Sequence, residues 1–250
     1  MIDPIDIVIL TWNRRAMTEK CLTYLNNRTK YPHRIFVVDN HSTDGTDELL
    51  RSFEKKGKIF HWVRMSKNVG VHMGWNVGLS LPMSEHYITA DNDLYVPDHD
   101  PDWLEQLVSL AKANPDYGAI ALQPHTFLGS SMPEPNKNGL IEYPHCGAVF
   151  RIMKTENVRK VGGWRHTYDS KRNDEERFIC GKIRNMLGLK TGYVDKLKCW
   201  HDFGADDNWG YDKIKPHDHG HRIPGEEIWP TPNMLNKIEL YDKKTWELKQ

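Results

Sequence analysis

Tyr87-Ile88-Thr89-Ala90-Asp91-Asn92-Asp93-Leu94-Tyr95-Val96-Pro97 decides the fold, because an apolar, β-favouring run ends there in two carboxylates one residue apart. Pro97 then stops the strand. In an open α/β sheet, ligands gather beyond the carboxyl ends of the strands, so Asp91 and Asp93 are expected at the rim of a cleft. Alternate strand residues face opposite sides, which puts both acids on one side and turns Asn92 away. Paired hard oxygens suit Mg²⁺ or Mn²⁺, and such an ion commonly also holds phosphates. The same letters also spell an acidic turn, so the surrounding sequence has to decide.

Upstream, the pattern is that of a parallel sheet. Ile5 to Leu10 reads as a strand buried on both faces and ends in the polar loop Thr11-Trp12-Asn13-Arg14. A helix is predicted from about Ala16 to Asn26, where Met17, Cys21, Tyr24 and Leu25 recur at helical spacing. Ile35 to Val38 is a second strand, ending at Asp39-Asn40. His41 to Thr46 makes a turn that leads into a helix over 47–55, and Ile59 to Val63 is a third strand. Strands alternating with helices imply right-handed crossovers and an α/β, Rossmann-like, mostly parallel sheet. Gly70, Gly74 and Gly78 fall four apart, on one helix face, where they serve either a ligand's approach or packing against a strand. They form neither a phosphate-binding Gly-Lys-Ser/Thr loop nor a dinucleotide Gly-x-Gly-x-x-Gly.

Downstream, Trp103, Leu104, Leu107, Val108 and Ala111 mark an amphipathic helix, and Ala119 to Leu122 a strand. Gln123 to Pro144 reads as a long loop, Cys146 to Ile152 as a strand, and Gly162-Gly163-Trp164 as a turn. Asp174-Glu175-Glu176 opens a helix whose apolar stripe is Ile179, Ile183, Met186 and Leu187; acids at a helix start also suit the dipole alone. Gly192 to Trp200 is a last strand, ending at His201. From Gly204 on no strong periodicity survives apart from short helices, and the stretch holding His217, Asp218, His219 and His221 has the residue types of a metal site, although such a stretch is more often a solvated loop.

The 250 residues suit one large domain, 1–203, and a C-terminal extension, 204–250. The 34 basic and 34 acidic residues balance, which argues against a general nucleic-acid-binding field. No apolar run is long enough to cross a bilayer, and the start lacks a basic region and apolar signal core, so a soluble cytoplasmic protein is expected. Cys21, Cys146, Cys180 and Cys199 are widely spaced without a Cys-x-x-Cys pair and read as reduced packing residues.

Four segments, in this order, carry a resemblance. They are Ile9 to Arg14, Val37-Val38-Asp39-Asn40-His41-Ser42-Thr43-Asp44-Gly45-Thr46, Asn68 to Gly78, and Asp91-Asn92-Asp93. Together they resemble the family 2 glycosyltransferases of the GT-A fold, over roughly the first 200 residues. The resemblance implies an inverting sugar transfer from a nucleotide-diphospho-sugar, most often a UDP-sugar, with residues 1–97 as the nucleotide-sugar half and 98–203 as the acceptor half. Thr11, Asn13 and Arg14 would lie by the nucleotide, Asp39 would accept from the base, and Asn68 and Gly70 would border base and ribose. Asn76, Asp91 and Asn92 would join the nucleotide-sugar set. Asp91, Asp93 and His201 would hold Mn²⁺ or Mg²⁺, and Trp164 would line the acceptor pocket. The family usually shows Glu-Asp where this chain has Asn173-Asp174-Glu175-Glu176, so both Asp174 and Glu175 stand as general base, with Asp174 favoured.

The acceptor class stays open: glycan, lipid carrier, protein or modified nucleic acid. Two other readings compete. A sugar-phosphate nucleotidyltransferase would carry a glycine-rich basic loop after the first strand, which Thr11-Trp12-Asn13-Arg14 lacks. A non-catalytic nucleotide-sugar-binding module would have lost the metal motif or the base, and neither loss is evident.

Overall fold

The computed structural model describes residues 3–96, 98–124, 132–165 and 174–201. The extension 204–250 with its histidine-rich stretch, Pro97, Asn173 and part of the expected loop 123–144 lie outside them.

The chain begins β1 (Ile5–Thr11), α1 (Arg15–Arg28), β2 (His33–Asp39), α2 (Thr46–Lys55), β3 (His61–Arg64), α3 (Val71–Leu79) and β4 (His86–Asp91). β1 pairs in parallel with β2 on one side and β4 on the other, and β2 pairs in parallel with β3. Being central explains why β1 is apolar on both faces. Ile5, Ile7 and Ile9 pack with Leu22 and Leu25 of α1, while Val8 and Leu10 pack with Met73 and Trp75 of α3. Each such side chain contributes about 1.5–3 kcal/mol on burial.

The second part runs β5 (Leu94–Tyr95), α4 (Trp103–Ala113), β6 (Tyr117–Pro124), β7 (Leu140–Glu142), β8 (Arg151–Lys154), α5 (Thr155–Lys160), α6 (Glu175–Leu187) and β9 (Lys190–His201). The sheet order is β3-β2-β1-β4-β8-β6-β9-β5, with β7 on β9. β8 lies antiparallel between β4 and β6, and β9 is parallel to β6, so the long strands other than β8 share one direction. The α/β sheet is therefore mostly parallel, as expected.

Three local differences have physical causes. The strand expected over 146–152 starts only at Arg151, because Phe150 sits at φ 48°, a left-handed conformation that breaks an extended run. β7 lies inside the expected loop; its few residues are held by antiparallel pairing with β9, which leaves no periodic trace. α5 was not foreseen, being too short for a helical stripe. The glycines of α3 serve packing: a Cβ on Gly74 would stand 2.6 Å from Leu10 Cδ1, and one on Gly78 2.8 Å from Val8 Cγ1. Among the described residues, no helix is long and apolar enough to cross a membrane.

Candidate active site

The loops after β1, β2 and β4 meet at one end of the sheet. Asn13 and Arg14 both take left-handed backbone, at φ 50° and 70°. That turn lets the Asn13 N–H donate to Ser42 Oγ (2.8 Å) and Asn13 Oδ1 accept from the Thr43 N–H (2.9 Å), clasping the first two loops together. Asp39 is wholly buried at the end of β2. Its Oδ1 accepts from the Ser42 N–H (2.9 Å); its Oδ2 has no hydrogen-bond partner and lies 3.6 Å from Arg64 Nε. Burial pushes the Asp39 carboxyl above its ordinary range, outweighing Ser42 and Arg64. Asn40 donates to Asn68 Oδ1 (2.9 Å), which also accepts from the Gly70 N–H (2.8 Å), so this loop opens α3.

Asp91 is the last residue of β4, and Asn92 and Asp93 form the turn into β5. Asn92 lies in that turn, past the end of the strand that was expected to carry it. Its amide donates to Thr11 Oγ1 (3.0 Å) and Thr18 Oγ1 (2.9 Å), and those hydroxyls lie 2.8 Å apart. The Thr11 hydroxyl and the Asn92 amide nitrogen, both expected at the nucleotide, thus tie the turn to Thr18 of α1.

Asp93 is almost buried. Arg14 Nη1 donates to its Oδ2 at 2.8 Å, while its buried Oδ1 has no hydrogen-bond partner and lies 3.4 Å from His201 Nε2. The antiparallel register Leu94↔His201 brings that imidazole across from the acids. Asp91's carboxyl is raised well above its ordinary value, first by burial and then by the Asp93 and Glu175 charges. An unsatisfied carboxylate oxygen facing an imidazole is a donor set that fits a small divalent cation. Among the described residues, no group of three or more His, Cys, Asp or Glu side chains is spaced to hold a metal, so Asp93 and His201 converge while Asp91 stands beside them.

The second set of residues gathers at the start of α6. Glu175 is held by Arg151, with Nη2 to Oε2 at 3.1 Å and Nη1 to Oε1 at 3.4 Å, and by Trp164 Nε1 to Oε2 at 2.7 Å. Arg151, fully buried on β8, also donates to Thr89 Oγ1 (3.2 Å) and to the Cys146 carbonyl (2.9 Å). Asp174 precedes the helix without capping it. Its Oδ1 is buried without a hydrogen-bond partner, 3.8 Å from His72 Nε2, and its Oδ2 is 3.5 Å from Arg165 Nη2.

Trp164, expected to line an acceptor pocket, is wholly buried, its ring 6.1 Å from that of Trp75; it offers no surface to an acceptor and meets the site through Glu175. Asn76, expected at the nucleotide-sugar, instead ties α3 to the Gly-Gly-Trp turn. It accepts from the Trp164 N–H (2.8 Å) and donates to the carbonyls of Trp164 (3.3 Å) and Arg165 (3.2 Å). Sequence reading missed His72, Arg151 and Arg165. For Arg151 the signal was a cation inside an apolar strand; for His72, a histidine within a helix of apolar and small residues.

The family model described as "Glycosyl transferase family 2" matches residues 6–187. The glycosyltransferase GlyA of Streptococcus pneumoniae serotype 4 is 23% identical over 219 residues, covering 78% of this chain and 30% of that protein. The chain thus spans under a third of this curated relative's length. The solved mannosyltransferase PcManGT from Pyrobaculum calidifontis, in complex with GDP-Man and Mn²⁺, superposes with a TM-score of 0.64 at 18% identity, over 97% of this chain and 69% of that one. S. aureus TarS 1–349 in complex with UDP-GlcNAc gives 0.61 at 14% identity, over 94% and 64%. At these identities the likeness is one of fold.

Proposed function

The chain belongs to glycosyl transferase family 2, and from that membership we propose that it moves a sugar from a nucleotide-diphospho-sugar, a UDP-sugar in first place, to an acceptor hydroxyl with inversion at the anomeric carbon. The observation that carries this reading is Asp93: Arg14 holds one oxygen, and the other, buried and unsatisfied, faces His201.

Residues 1–97 would form the donor side. Asp39 Oδ2, buried and without a hydrogen-bond partner, suits an N–H of the base. Asp93 Oδ1 and His201 Nε2, with Asp91 adjacent, would hold Mn²⁺ or Mg²⁺, which when bound offsets charge growing on the leaving diphosphate. Arg14 keeps Asp93 in one orientation and adds a positive charge at the same place.

Residues 98–203 would supply the acceptor side. Between the candidate bases, Asp174 is the better placed. A base needs an unengaged lone pair within reach of the proton it takes. Both Glu175 oxygens already accept hydrogen bonds, whereas Asp174 Oδ1 accepts none. Asp174 would take the proton from the acceptor hydroxyl as that oxygen attacks from the face opposite the diphosphate. Glu175, clamped between Arg151 and Trp164, fixes the first turn of α6 and hence where Asp174 stands.

A thermal-shift screen of UDP-, GDP- and dTDP-sugars, with and without Mn²⁺, tests the proposal. A ligand that binds the native state raises the melting temperature with the logarithm of its concentration. One sugar nucleotide should stabilise the protein in a Mn²⁺-dependent way and be turned over; no stabilisation by any of them would overturn the reading.

A further inference from the structure

His72 lies in the first turn of α3 and is 6% exposed. Neither of its ring nitrogens has a hydrogen-bond partner, and the same is true of Asp174 Oδ1 and Arg165 Nε. Buried polar atoms of a native structure are almost always satisfied, so a cluster of unsatisfied ones marks where something polar binds. Phe178 of α6 packs against the cluster: its ring meets that of His72 edge-on at 5.7 Å and carries Arg165 Cζ at 4.3 Å from its centroid.

The spacing selects the kind of atom that fits. His72 Nε2 and Asp174 Oδ1 are 3.8 Å apart, beyond hydrogen-bond length. A single oxygen about 2.8 Å from each would close the triangle. That oxygen must accept from an N–H and donate to a carboxylate, and a hydroxyl does both.

We propose that His72 is a substrate-contacting residue, and that His72 Nε2 and Asp174 Oδ1 together seat the attacking hydroxyl of an alcohol acceptor. The inference rests on the glycosyl-transfer reading above. A hydroxyl carries one proton and two lone pairs. Here the proton points at Asp174, one lone pair takes the His72 N–H, and the other is left to face the donor sugar. As the oxygen–carbon bond forms and the carbon–oxygen bond to the diphosphate breaks, the proton passes to Asp174 and the electron pair leaves with the diphosphate. Burial depresses the imidazole's pKa, and Arg165 adds to that, while Glu175 and Asp174 oppose it. The net shift favours a neutral ring, which donates one proton and does not close onto Asp174 as an ion pair.

The test uses the full chain with its sugar nucleotide and methyl glycosides of glucose, galactose, mannose and N-acetylglucosamine as acceptors. His72→Phe keeps a ring against Phe178 and deletes both nitrogens; His72→Gln keeps a donor. His72→Phe should lower acceptor kcat/KM about tenfold or more, the scale of one hydrogen bond lost from a site left unpaired, with His72→Gln regaining part of it. A His72→Phe value within twofold of the parent would overturn the proposal. A crystal of the parent protein soaked in the best methyl glycoside gives a second readout independent of turnover. A glycoside oxygen within about 3.2 Å of both Nε2 and Oδ1 supports the seat; a water there with the glycoside bound elsewhere overturns it. Absence of sugar-nucleotide turnover in the parent protein would sink the transfer reading itself, and the soaked crystal would still decide whether the two residues hold a hydroxyl.

Discussion

Arg14 donates to Asp93 at 2.8 Å across 79 positions of sequence, from a backbone held at φ 70°. The contact joins the loop after β1 to the turn after β4 and leaves Asp93 only Oδ1 to offer a ligand.

Asp93→Ala removes the one unsatisfied oxygen that faces His201. Donor turnover should fall by about a hundredfold or more, the scale of lost charge stabilisation at a reacting phosphate. The Mn²⁺-dependent rise in melting temperature should vanish with it, while circular dichroism stays native. A variant that kept its activity would refute the metal role.

Asp174→Asn and Glu175→Gln should part company. Asp174→Asn is expected to slow transfer by about a hundredfold at a near-native melting temperature, since its side chain is a third exposed. Glu175→Gln leaves the buried Arg151 charge uncompensated, which typically costs about 3–5 kcal/mol. Its signature is a large loss in urea stability. Equal stabilities would show that Glu175 is not the structural partner described.

Asp39 offers a stability-against-binding test. A carboxyl whose pKa is raised by folding binds its proton more tightly in the native state than in the unfolded chain, where the ordinary value is 3.8. The charged form therefore costs stability as pH climbs from 3.8 to the raised native value, and the cost is complete above that value. Asp39→Asn should hold or raise the melting temperature at pH 7 while weakening sugar-nucleotide binding in a titration. A melting temperature several degrees lower would contradict this account.

Gly74→Ala brings a methyl group to 2.6 Å from Leu10 Cδ1. Overpacking of this kind costs about 1–3 kcal/mol. Placed on a Leu10→Ala background, where the space is empty, the same change should cost measurably less, as residues in contact do not add. Additive losses would mean that the glycine serves something other than the strand beneath it.

The sheet and the loops after β1 and β2 were legible because their signals are local. Ile5 to Leu10 and Ile35 to Val38 are unbroken apolar runs, and the turn at His41 to Thr46 is spelled in Asp, Gly and Thr. Asp93 and His201 were named from sequence, and the structure brings them within 3.4 Å. What hid was whatever depends on long-range pairing. β7 exists only because β9 is beside it, and the start of β8 is set by the backbone of Phe150. Trp164 and Asn76 look like ligand residues in a string of letters, yet each spends its polar atoms on a neighbour distant in sequence. His72 went unnoticed for the converse reason, as its importance lies in bonds it does not make.

β8 comes from the later stretch of the chain but is hydrogen-bonded to β4 of the earlier one. A cut at residue 97 would therefore strip β4 of one of its two neighbours and leave two fragments with raw, adhesive edges. Chimeras that exchange one side of such an enzyme for a relative's should be built by grafting the surface loops onto an intact sheet, since the scaffold cannot be halved.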